Sequence, residues 1–256
     1  MSTAVFVTVY AVVMAASVVG ALLVPAILAG SPGRVARGRP GLGGVIAIAV
    51  GLAAWFGITS AVAAAGGYSA DSSARWGFPL VGLGLLVPVA VATAAIWLVA
   101  PIRRLVSEPA VQPALIAVES YRFLAGGVFL GLMFVNQLPA VFAIPAGGGD
   151  VLIGLTAFWA AASLRSGRLG PAVAWNLLGI LDLVLAVSLG IATTPGPLHL
   201  INASPSTVLL SVLPLVMVPT FLVPLSFLIH VVSLRHLLRR PSHVRSVSSV
   251  RREASA

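Results

Sequence analysis

Seven apolar stretches, each about as long as a bilayer is thick, divide this chain and leave it one kind of solvent. They run over about 4–29, 45–67, 79–100, 114–135, 145–164, 171–192 and 208–233. A helix needs roughly 20 apolar residues to cross the hydrocarbon core. Only 8% of the residues are charged while 59% are hydrophobic, whereas a soluble domain carries about 25% charged residues. In lipid every backbone polar group must be satisfied within its own segment, which makes these stretches helices. The expected fold is all-α, a polytopic transmembrane helix bundle of about seven spans.

The basic residues orient it. Arg34, Arg37 and Arg39 lie between spans 1 and 2, Arg103 and Arg104 between 3 and 4, and Arg165 and Arg168 between 5 and 6. Arg235, Arg239, Arg240, Arg245, Arg251 and Arg252 follow span 7, and the alternate connectors hold only Arg75. By the positive-inside rule this alternation places the N-terminus outside and the C-terminus in the cytoplasm. The first apolar stretch is too long for a signal-peptide core and has no basic residue before it, so it reads as a retained helix. Arginines scattered between apolar spans point to the bilayer and to anionic lipids at its cytoplasmic face, not to nucleic acid. Arginine without lysine, together with abundant Ala, Val and Gly, suggests a bacterial inner-membrane protein. The absence of lysine excludes Schiff-base chemistry, and the absence of cysteine excludes thiol catalysis and Cys-ligated metals. No cofactor is expected.

Polarity is unevenly spread. Residues 1–101 form a three-helix apolar part, 102–113 a connector holding Pro109 and Pro113, 114–235 a four-helix part, and 236–256 a basic cytoplasmic tail. The four-helix part holds the charges buried within spans: Glu119, Arg122, Asp150 and Asp182. Three acids against one base give a formal charge of −2 in a medium that penalises charge. Glu119 and Arg122, three residues apart, share a helix face and predict an intrahelical pair, with Arg122 long enough to snorkel to the inner interface. Asp182 lies roughly 16 Å into span 6, too deep to reach water, and needs Arg122, a proton or a cation. Asn176 and Gly179 keep that helix small and polar, and His230 is placed near the cytoplasmic end of span 7, at the depth of Glu119.

Residues 138–149 carry two prolines and three consecutive glycines. They read either as an outer loop, with Asp150 capping the helix that follows, or as a broken or re-entrant helix lining a site. Pro214, Pro219 and Pro224 predict kinks in span 7. The Gly127-x-x-x-Gly131 spacing predicts close helix packing inside the bundle.

Tyr121-Arg122, the run from Gln137 to Asp150, Trp175-Asn176 to Asp182, and the run from Leu213 through Pro219-Thr220-Phe221 to His230 resemble a family of uncharacterised bacterial integral membrane proteins. The resemblance covers spans 4–7 and implies no activity.

Two functions follow from the charges. The first is binding or transport of a small solute or ion with proton linkage, through Glu119, Arg122, Asp150, Asn176, Asp182 and His230. The second is an accessory subunit whose buried charges specify helix packing or a membrane protein partner. An enzyme ranks last, because neither a nucleophile elbow nor a His–carboxylate motif is present.

Overall fold

The computed structural model describes residues 2–31, 42–69, 71–72, 80–196 and 198–239. Its regular elements are helical: α1 (Thr3–Ala29), α2 (Leu42–Ala64), α3 (Leu80–Leu98), α4 (Ala100–Val106), α5 (Gln112–Val118), α6 (Arg122–Phe134), α7 (Ala140–Arg165), α8 (Leu169–Thr193) and α9 (Val223–Leu238). Among the described residues seven rods are long and apolar enough to cross a membrane, with α5 and α6 forming one from Pro109 to Phe134 and α9 completing another from Val218 to Leu238. The chain is an all-α polytopic bundle. Its fourth and seventh spans are the most enclosed, each 56% buried over its most apolar window, whereas α3 buries none of its own. The centre of the bundle therefore belongs to the spans that carry Glu119, Arg122 and His230.

Two departures from regular α-helix shape that centre. A 3-10 turn over Glu119–Tyr121 separates α5 from α6. A single π turn over Val218–Leu222 leads into α9, and such turns shift the facing of every side chain that follows. Residues 207–217 come before that helix, so Pro214 kinks nothing; Pro219 lies in the π turn and Pro224 in the first turn of α9. Pro224 has no N–H to offer the Thr220 carbonyl four residues back. Trp55 of α2 supplies the missing donor, its indole N–H lying 3.0 Å from that oxygen, and its ring packs against Phe221 at 4.9 Å between centroids. Trp55→Phe keeps most of the packing and deletes the donor, so it is expected to cost about 1 kcal/mol. Thermal unfolding in detergent reads this as a lowered midpoint.

The 138–149 segment corrects both sequence expectations. From Ala140 to Arg165 the chain is one unbroken α-helix, with extended Pro139 at its N-cap and Pro145 inside it. Pro145 falls early in the helix and removes only one hydrogen bond. The glycines are contact surfaces, not breakers. A Cβ on Gly147 would lie 3.1 Å from the Gly126 carbonyl of α6, and one on Gly149 would strike the Asp182 carboxylate of α8. Asp150 stands well inside α7 and caps nothing.

The GxxxG expectation is corrected too. A Cβ on Gly127 or Gly131 would meet nothing within 4 Å. Both glycines lie in the floor of an open apolar groove of about 480 Å³ between α1 and α6. The packing glycine is Gly126.

Ile116, Leu164, Ala172 and Leu237 share one apolar cluster. The start of span 4, the end of α7, the start of α8 and the end of α9 therefore meet at one end of the bundle, where Arg103, Arg165, Arg168, Arg235 and Arg239 lie in the last helical turns and the connectors. Arg34, Arg37, Arg39, Arg75 and the tail beyond Arg239 lie outside the described residues.

Candidate functional site: an arginine held by two aspartates

Arg122 opens α6 directly after the 3-10 turn and is 1% exposed. Its guanidinium is used in three directions by three other spans. Nε donates to Asp150 Oδ1 of α7 at 2.7 Å. Nη2 donates to Asp182 Oδ2 of α8, and Nη1 lies 3.2 Å from His230 Nε2 of α9. Small residues make this convergence possible. A Cβ on Gly126 would sit 2.9 Å from the Asp150 Cβ, and one on Gly179 would run into the His230 ring.

Asn176 sets the state of the histidine. Its Nδ2 donates to the Ala172 carbonyl at 2.8 Å, which turns Oδ1 towards His230 Nδ1 at 3.0 Å. An amide oxygen only accepts, so Nδ1 carries the hydrogen. In the neutral ring Nε2 then accepts from Arg122. Trp175 lies against the same imidazole, with ring centroids 4.9 Å apart.

Glu119 forms the other branch. It is fully buried, and Ser226 of α9 donates to its Oε2 at 2.7 Å. Oε2 is 3.7 Å from His230 Nε2, and Oε1 has no hydrogen-bond partner among the described residues. The Tyr121 hydroxyl pairs with Ser226 and lies 3.2 Å from the Leu222 carbonyl at the end of the π turn.

All six residues expected from the sequence thus meet, but not as expected. Glu119 and Arg122 form no direct ion pair among the described residues: Glu119 accepts from Ser226 of α9, while Arg122 donates to Asp150 of α7 and Asp182 of α8. Arg122 reaches no interface, since the span beginning at Pro109 places it near mid-helix. His230 is buried beside the guanidinium and is not interfacial. Tyr121, Ser226 and Trp175 join the network without having been singled out as site residues. Ser226 lies one helical turn before His230, which is the signal that could have found it.

The side chains are not equally enclosed. Asp150 and Asp182 are 11% and 10% exposed, against 2% for Arg122 and 0% for Glu119 and His230. The two aspartates therefore stand at the rim and the other three at the centre. The open groove between α1 and α6 touches none of the six.

These features define a multi-pass helical membrane protein with a buried, arginine-centred ion-pair network spanning four of its helices. The chain belongs to a family described as a domain of unknown function, DUF8737, which matches residues 78–238. That match begins one span before the residues carrying the sequence resemblance and includes the whole network. No curated protein and no solved structure matches the chain.

Proposed function

We propose that this protein binds or carries a small solute or ion across a bacterial inner membrane, with protons exchanged at the Arg122 cluster. One observation supports this reading above the others. One buried guanidinium is shared by two aspartates, while a third buried carboxyl group has an oxygen with no partner among the described residues. With all three acids ionised, the cluster carries a charge of −2 within the span. Each uncompensated ion there costs several kcal/mol, and two protons, a divalent cation, or one proton with a monovalent cation restore neutrality. Asp150 and Asp182, at the rim, are the groups a proton or ligand reaches first. His230 links Arg122 to Glu119.

Proteoliposomes holding the purified protein and a pH-sensitive dye test this under an imposed proton gradient. Wild type is expected to move protons or ions, and Asp182→Asn to stop that movement while remaining folded. Flux that persists unchanged in Asp182→Asn, or a silent wild type, overturns the proposal.

A second reading, an accessory subunit whose charges fix helix packing, is favoured by the way Asp150, Asp182 and His230 occupy all sides of the guanidinium. It predicts equal loss of folded protein in Asp182→Asn and Arg122→Ala, with recovery in the double variant.

A further inference from the structure

At the arginine-bearing end of the bundle, α3 gives way to α4 at Val99 and α9 ends at Leu238. Trp97 sits at this junction and gathers two arginines from different helices, α4 and α9. Arg103 Nη1 donates to the Trp97 carbonyl at 2.6 Å. The Arg235 guanidinium carbon lies 3.1 Å from the centre of the Trp97 ring. Arg239 follows Arg235 by one helical turn, its backbone N–H donating to the Arg235 carbonyl at 3.2 Å.

Three like charges are thus held together, and among the described residues no carboxylate forms an ion pair with any of them. Both contacts to Trp97 hold the guanidiniums in place, and Arg103 and Arg239 are exposed. Around them the surface is apolar: Trp97 is 42% exposed, Leu98 82%, Val99 42% and Leu238 67%. Tryptophan at a span end is an interfacial residue. Guanidinium forks match phosphate oxygens in geometry and charge.

We infer that Trp97, Arg103, Arg235 and Arg239 form a binding site for the phosphate of an anionic phospholipid, whose acyl chains lie along Leu98 and Leu238. The adjoining apolar surface is what favours a lipid over free phosphate. This is more than diffuse attraction of a basic face, because the two guanidiniums come from different helices, α4 and α9, and are both held on one tryptophan. It is independent of the Arg122 cluster.

The test is native mass spectrometry of the full chain in detergent, offered phosphatidylglycerol and phosphatidylcholine in equal amounts. Wild type is expected to retain phosphatidylglycerol preferentially, and Arg103→Gln with Arg235→Gln to reduce that preference about tenfold or more, each arginine contributing on the order of a several-fold effect near a charged surface. The charge-matched pair Arg165→Gln with Arg168→Gln is expected to keep it. Equal losses in the two pairs would reduce the site to plain charge attraction and overturn it. Displacement of the lipid by millimolar inorganic phosphate would assign the site to free phosphate and overturn the lipid. If the Arg103 and Arg235 pair does not fold, Arg239→Gln, exposed at the helix end, carries the same comparison; an unchanged preference there overturns the three-arginine site.

Discussion

Arg122→Leu is expected to yield essentially no folded protein. Removing the guanidinium leaves Asp150 and Asp182 facing each other across the α7–α8 contact, and His230 loses its partner at Nε2. Deleting one member of a buried ion pair typically costs about 3–5 kcal/mol, a large share of the roughly 5–15 kcal/mol by which proteins are stable. Here two partners are stranded at once. Asp182→Asn is expected to be far milder, because Arg122 keeps Asp150 and an amide still accepts its hydrogen bond. Adding Asp150→Asn and Asp182→Asn to Arg122→Leu should restore much of the yield, since amides need no counter-charge. Monodisperse yield on size exclusion and thermal unfolding in detergent read all three. This asymmetry matters for function: it allows proton coupling to be removed at Asp182 without removing the fold.

The second large effect is expected one helical turn away. A valine at position 126 would put its Cβ 2.8 Å from the Val151 amide nitrogen and 2.9 Å from the Asp150 Cβ, with the Gly147 carbonyl closer still. Two of these are backbone atoms, which cannot swing aside as a side chain tip can. Overpacking a core costs about 1–3 kcal/mol even where side chains can adjust, so Gly126→Val should exceed that range and also push Asp150 away from Arg122. Gly127→Val, its neighbour, faces the open groove and is expected to change stability by no more than about 0.5 kcal/mol, as surface changes do. Thermal midpoints of the two variants, measured side by side, should differ widely. Similar midpoints would mean that α6 and α7 are not in close contact at Gly126.

This pair also shows what was legible in the sequence and what was not. Hydropathy located seven spans, because each must clear the same hydrocarbon thickness. The chemistry of the site was legible as well, since charges inside spans are too costly to be incidental, and Glu119, Arg122, Asp150, Asn176, Asp182 and His230 do converge. Their pairing was not legible. Three-residue spacing predicts a shared face, and both side chains do approach His230 Nε2, but which further partner each one takes is decided by α7, α8 and α9 and not by the spacing. The glycines failed for a related reason: a glycine reads as a breaker or as a contact depending on the neighbour it meets, and that neighbour is a different span. Gly147 and Gly149, which read as loop, are the surfaces on which α6 and α8 rest, whereas Gly127 and Gly131, which read as packing, face open space. The continuity of α7 through Pro145 likewise depends on helices that surround it.

The central claim is that the cluster around Arg122 holds exchangeable protons, and infrared difference spectroscopy of the protein in lipid, stepped across pH, tests it most directly. A proton-holding cluster predicts a protonated-carboxyl band in wild type that shifts in deuterated water, changes with pH, and shrinks in Asp182→Asn or Glu119→Gln. A wild-type spectrum with no such band at any pH at which the protein stays folded would contradict it, and would leave the cluster a fixed ion-pair network that only holds the spans together.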